Sequence, residues 1–107
     1  MKVQKIYRAK EFYQYYDQLI QIQYSYREVE SSEGKGIQFY RPTLSLVLKH
    51  NKVGGVIRPV ECAECKDENV FVDMYNRHST QKLTREVFSK ILQSVKRGVA
   101  RRHFEKR

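Results

Sequence analysis

The hydrophobic pattern changes period within residues 12–29, FYQYYDQLIQIQYSYREV. Phe12, Tyr15, Tyr16, Leu19 and Ile20 recur at the three- and four-residue spacing of one helix face. Ile20, Ile22, Tyr24 and Tyr26 then alternate with Gln21, Gln23, Ser25 and Arg27, as on a half-buried strand. The pattern predicts a helix over 10–19 and a strand over 20–29, with a weaker strand signal at 2–8.

Further along, ESSEGKG (30–36) has the composition of a flexible loop. In 37–50 the alternation of Leu44, Leu46 and Leu48 with polar residues and Val47 predicts a strand that begins after a break at Pro42. HNKVGG (50–55) predicts a turn, and VIRPV (56–60) a short strand that Pro59 confines to an edge. ECAECKDEN (61–69) reads as an acidic loop and VFVDMY (70–75) as a strand apolar on both faces. The clearest helix follows. Thr84 suits its N-cap and Glu86 its first turn. Val87, Phe88, Ile91, Leu92, Val95 and Val99 form one apolar stripe, with Lys90, Arg97 and Arg101 opposite. Gly98 marks a stop.

Short connections between strands favour antiparallel pairing. The expectation is one α+β domain over 1–100 with a basic tail at 101–107. Its small antiparallel sheet has four or five strands, curved or partly closed. An N-terminal helix and a C-terminal amphipathic basic helix cover it. A sandwich or a PUA-like partly closed barrel fits this order of elements.

Charge sharpens the picture. Of the net +9, residues 81–107 hold nine basic and two acidic side chains, whereas 51–80 hold four and five. A field concentrated at one end attracts polyanions. No apolar run reaches the ~18 residues of a membrane span, and MKVQKIYRAK lacks the apolar stretch of a signal peptide. Two cysteines make no disulfide framework, so the expected compartment is cytoplasmic and reducing.

Four groups of residues could carry chemistry. The basic end comprises Lys90, Lys96, Arg97, Arg101, Arg102, Lys106 and Arg107, suited to phosphates by counterion release. Aromatic and basic residues interleave at Tyr24, Tyr26, Arg27, Phe39, Tyr40 and Arg41. They form either a stacking face for bases or core, and Arg27, Tyr40 and Arg41 are the secondary contact expected of them. Cys62 and Cys65, with His78 twelve residues on, have half of a zinc-site spacing, but the second histidine is missing and a plain loop is the simpler reading. Asp73, Tyr75, Arg77 and His78 are types a small ribonuclease uses. No phosphate-binding loop, dinucleotide fingerprint or nucleophile motif occurs.

The function expected is therefore a small non-catalytic nucleic-acid-binding protein, a regulator or accessory subunit. It needs no cofactor and prefers RNA, single-stranded or structured, to duplex DNA. The alternatives are a module docking an acidic protein through the basic helix, and a small ribonuclease.

Overall fold

The computed structural model describes residues 4–105. Five strands, β1 (Tyr7–Tyr15), β2 (Gln18–Ser31), β3 (Gly34–Phe39), β4 (Thr43–Val53) and β5 (Val56–Cys65), precede two helices, α1 (Glu68–His78) and α2 (Arg85–Glu105). All pairing is antiparallel, in the order β1-β2-β4-β5. β3 pairs the second half of β2 and β4 its first half, so the two follow each other along one side of β2. Tyr40, Arg41 and Pro42 separate them, and the Tyr40 amide still donates to the Ser25 carbonyl at 2.9 Å. The sheet is open, with β1 and β5 at its edges.

The expected N-terminal helix is a strand. Tyr7, Ala9, Tyr13 and Tyr15 pack toward the core and alternate with Arg8, Lys10, Phe12 and Gln14. Residues 12–20 satisfy both periods, and tyrosine and phenylalanine favour the pleated surface. The chain reverses at Tyr16, whose φ of 51° lies in the left-handed region, and Asp17. Ser79 donates to Asp17 at 2.6 Å, Gln18 donates to the His78 carbonyl at 3.0 Å, and Tyr75 to the Tyr15 carbonyl at 2.7 Å. This turn is thereby docked on the end of α1. The Ser79 hydroxyl, first among several hydrogen bonds, holds the Asp17 carboxyl below the usual range.

The expected strand at 70–75 is helical. Asp67 accepts from the amides of Asn69 and Val70 at 2.8 and 3.1 Å, a strong N-cap. Phe71, Val72 and Tyr75 are buried and Val70 is exposed, a helix stripe that a six-residue apolar run does not reveal. Glu61 to Cys65, expected as loop, belong to β5. Thr84 caps α2 as expected, accepting from the Val87 amide at 3.2 Å. Gly98 does not stop α2, and residues 101–105 are helix rather than tail.

Both helices cover one face of the sheet. Ile20, Ile22, Tyr24, Tyr26, Leu44 and Leu46 meet Phe71, Phe88, Ile91, Leu92 and Val95 in one core. Phe71 and Phe88 stack with centroids 5.1 Å apart. Tyr24 and Tyr26 are thus core residues and not an exposed stacking face. Burial raises the Tyr24 hydroxyl to about 12, with Glu68 adding to it, and that hydroxyl has no hydrogen-bond partner among the described residues. Where α2 overruns the aliphatic part of the sheet, its stripe turns polar to match. Arg102 pairs with Glu11, His103 meets Glu28 at 2.6 Å and the Tyr26 hydroxyl at 3.3 Å, and Tyr7 stacks on Tyr26. Among the described residues, no helix is long and apolar enough to cross a membrane.

Candidate nucleic-acid interface

Among the described residues, no helix lies over the second face of the sheet. Side chains alternate across a strand, so the register fixes its members. Arg8 lies opposite Ser25, and Lys10 opposite Gln23, which in turn faces Thr43. One step along, Phe12, Gln21 and Ser45 form the next row, and then Gln14, Leu19 and Val47. Gln21, Ser45, Leu19 and Val47 are buried, so that end of the face is closed to solvent.

At the other end the face opens into a cleft of about 390 Å³. Arg8, Lys10 and Arg41 stand around it, with Gln23, Ser25 and Thr43 also lining it. The break at Pro42 takes Arg41 out of the strand register and brings it to this cleft. Arg27 falls on the same face two residues beyond Ser25. Its Nε donates to Gln38 at 2.8 Å and its Nη1 to Gln4, so it is oriented by neutral amides. Among the described residues, no carboxylate lines the cleft, and Arg8, Lys10, Arg27 and Arg41 form no ion pair. Cations around hydroxyl and amide groups can neutralise a phosphate and hydrogen-bond its ester oxygens or a neighbouring sugar.

A larger cavity of about 520 Å³ lies beside β1 and the last turns of α2. Glu11 and Glu28 line it together with Arg102 and His103, their partners. Arg8 and Lys10 line it as well, so the two sites share those cations, and of the two the cleft is the one without a carboxylate.

The basic end is divided by the fold. Lys90, Arg97 and Arg101 are exposed on the outer side of α2 as expected. Arg101 lies 4.0 Å from Glu105, an exposed pair of small effect. Lys96 is half-buried, with its ammonium 5.6 Å from the Tyr24 ring centroid and 5.8 Å from that of Phe39. Arg102 is engaged by Glu11. Lys106 and Arg107 lie outside the described residues. The outer row of α2 and the cleft are on opposite sides of the sheet, so one flat ligand does not touch both. Of the secondary contact, Arg27 falls on the open face bonded to Gln38, Arg41 lines the cleft, and Tyr40 is exposed beside Arg41. Lys10 begins the stretch whose period predicts a helix, and Arg8 ends the weak strand signal over 2–8, so the pattern singles out neither as a site. Their alternation with Tyr7 and Ala9 was the available signal.

The two other candidate sites are not assembled. Cys62 pairs with Val47 and Cys65 with Leu44, residues on opposite faces of the sheet, so the two thiols point apart. The Cys65 thiol donates to the Asp67 carbonyl at 3.2 Å, and no group of three or more potential ligands converges among the described residues. Asp73 and Tyr75, expected on one strand face, sit two residues apart on α1. There Tyr75 is fully buried and Asp73 exposed, while His78 Nδ1 lies 3.0 Å from the Met74 carbonyl oxygen.

No protein-family model matches the chain, and neither a curated protein nor a solved structure is significantly similar to it.

Proposed function

We propose that the protein is a small, non-catalytic nucleic-acid-binding protein with a preference for RNA, serving as a regulator or accessory subunit in a reducing, cytoplasmic setting. The observation that carries this reading is the cleft on the open sheet face, where Arg8, Lys10 and Arg41 converge on Gln23, Ser25 and Thr43 without a carboxylate. Its volume is that of a small-ligand pocket, suited to a nucleotide unit and too small for a duplex. Hydroxyl and amide groups beside cations suit a ribose 2′-OH next to a phosphate, which favours RNA over DNA. Stacking on Tyr24 and Tyr26 plays no part, because both are core. The open sheet under a single helical layer supports a two-layer arrangement in preference to a PUA-like barrel.

Fluorescence anisotropy with a single-stranded RNA and its DNA counterpart, titrated across salt concentrations, tests the reading. Binding should weaken linearly in log–log form. The triple variant R8A/K10A/R41A should lower the slope by about 2, at ~0.7 per phosphate contact on a single strand. Unchanged binding by that variant, or no binding at low salt, overturns the assignment. The outer row of α2 supports the second reading, an acidic protein partner. Lys90, Arg97 and Arg101 stay exposed on the side away from the cleft. That reading predicts a partner lost on K90E/R97E/R101E with RNA binding intact.

A further inference from the structure

Beyond Val47 the β4–β5 hairpin leaves the body of the protein. The register shifts between Val47 and Lys49 and again between Lys49 and His50, and every residue from 48 to 56 is exposed. The radius of gyration is 15.5 Å and the longest extent 47 Å, against about 13 Å for the radius of a compact domain of about this length. About six residues per strand at ~3.3 Å each give a ribbon on the order of 20 Å long.

The composition of this ribbon is one-sided. Among the described residues, Leu48, Val53, Val56 and Val60 are four of the eight exposed large hydrophobics. Lys49, Lys52 and Arg58 are exposed cations with His50 beside them, and no Asp or Glu occurs from 48 to 60. At its tip Gly54 and Gly55 take φ of +61° and +79°, with nothing within 4 Å of where a Cβ would stand. An isolated two-stranded ribbon is marginally stable in water. This one carries apolar surface and, apart from Glu61 opposite Lys49, positive charge with no acid across from it, which a partner can cover.

Charge complementarity selects a polyanion over a second copy of the chain. Two such ribbons would repel, and Pro59 on the outermost strand, β5, lacks an N–H for edge-to-edge pairing. The groove can be chosen too. Reading the major groove of B-form DNA requires long polar side chains aimed at base edges. The tip offers Val53, Gly54, Gly55 and Val56, none with a polar side chain. The minor groove of B-form DNA is only ~6 Å wide. The minor groove of an A-form RNA helix is wide and shallow and lined with 2′-hydroxyls.

We propose that residues 48–60 lie in the minor groove of an RNA helix, with Lys49, Lys52 and Arg58 on the flanking phosphates and Asn51 toward the 2′-hydroxyls. The inference rests on the proposed RNA-binding function and deepens it: the target is a structured RNA in which a helix adjoins the single strand held by the cleft.

The test measures binding of an RNA hairpin with a single-stranded 3′ extension, of the extension alone, and of the same hairpin as DNA. K49A/K52A/R58A should weaken binding of the extended hairpin at least about tenfold, as expected from the loss of up to three phosphate contacts, and change binding of the extension less than twofold. V53S/V56S should weaken only the hairpin. Circular dichroism and thermal melting establish that both variants are folded. If K49A/K52A/R58A binds the extended hairpin as tightly as the wild type while R8A/K10A/R41A does not, the ribbon proposal is overturned and the cleft reading stands. Equal, ribbon-dependent affinity for the DNA hairpin overturns the choice of groove. A dimer abolished by V53S/V56S makes the ribbon a self-association element instead. Failure of the wild type to bind either RNA removes both readings.

Discussion

β4 is buried from 44 to 47 and exposed from 48 to 53, although leucine and valine occur in both halves. Leu46 is fully inaccessible, whereas Leu48, two residues on, is 40% exposed. In the first half, Leu44 and Leu46 lie under the helices, and Ser45 and Val47 are buried on the other face. In the second half the only partner is β5, which is exposed along with it. Leucine and valine on one strand thus have two outcomes, decided by what lies above and below the strand. The first half holds the fold together. The second is free to meet something else.

The sharpest way to break this comparison is a pair of substitutions on the one strand. Leu46→Ala should destabilise the protein by about 3 kcal/mol, from lost transfer energy plus a cavity, and Leu48→Ala by under about 0.5 kcal/mol. Urea unfolding of the two variants measures both. Similar losses would mean that the outer half of the hairpin is covered.

A smaller effect sharpens the buried side. The Tyr24 hydroxyl is buried without a partner among the described residues, so Tyr24→Phe should stabilise by up to about 1 kcal/mol while keeping the ring. Its pKa is raised to about 12 from 10.0, so the folded state favours the neutral phenol. That contribution is complete below pH 10 and is lost as pH rises from there through 12, while the unfolded chain ionises. Tyr24→Phe should therefore flatten the alkaline limb of a stability-versus-pH curve. A curve that keeps its slope would place the alkaline sensitivity elsewhere.

The smallest effect pairs one substitution at two sites. Gly98 is inside α2, and a Cβ there meets only the Nη1 end of Arg102 at 3.4 Å. Gly98→Ala should stabilise by about 0.5–1 kcal/mol through the helix backbone. At Gly54, with its left-handed φ, the same change should cost about 1 kcal/mol, although open space surrounds it. Thermal melting of both variants gives the signs, and equal signs would contradict the conformations described.

Much of the fold was readable in advance. The strands of 20–29 and 44–48, the break at Pro42, the edge position of β5 and the stripe of α2 all follow from period, proline chemistry and capping, which act over a few residues. Residues 10–19 and 70–75 did not yield to the same reasoning. Each satisfies two periods at once, and short apolar runs carry too little pattern to choose. The neighbours chose instead: β2 paired with the first, and the Asp67 cap and the underside of the sheet fixed the second.

The sites divide in the same way. Sequence alone established that the protein is strongly basic and that its last helix carries an apolar stripe opposite a row of cations, because both are sums or periods along the chain. Only tertiary structure brought Arg8, Lys10 and Arg41 around one cleft, engaged Arg102 with Glu11, turned Cys62 and Cys65 to opposite faces, and left the end of a hairpin without cover. Those outcomes depend on pairings between residues far apart in sequence. Charge at a position is local, but whether a charge is available is settled by what folds against it.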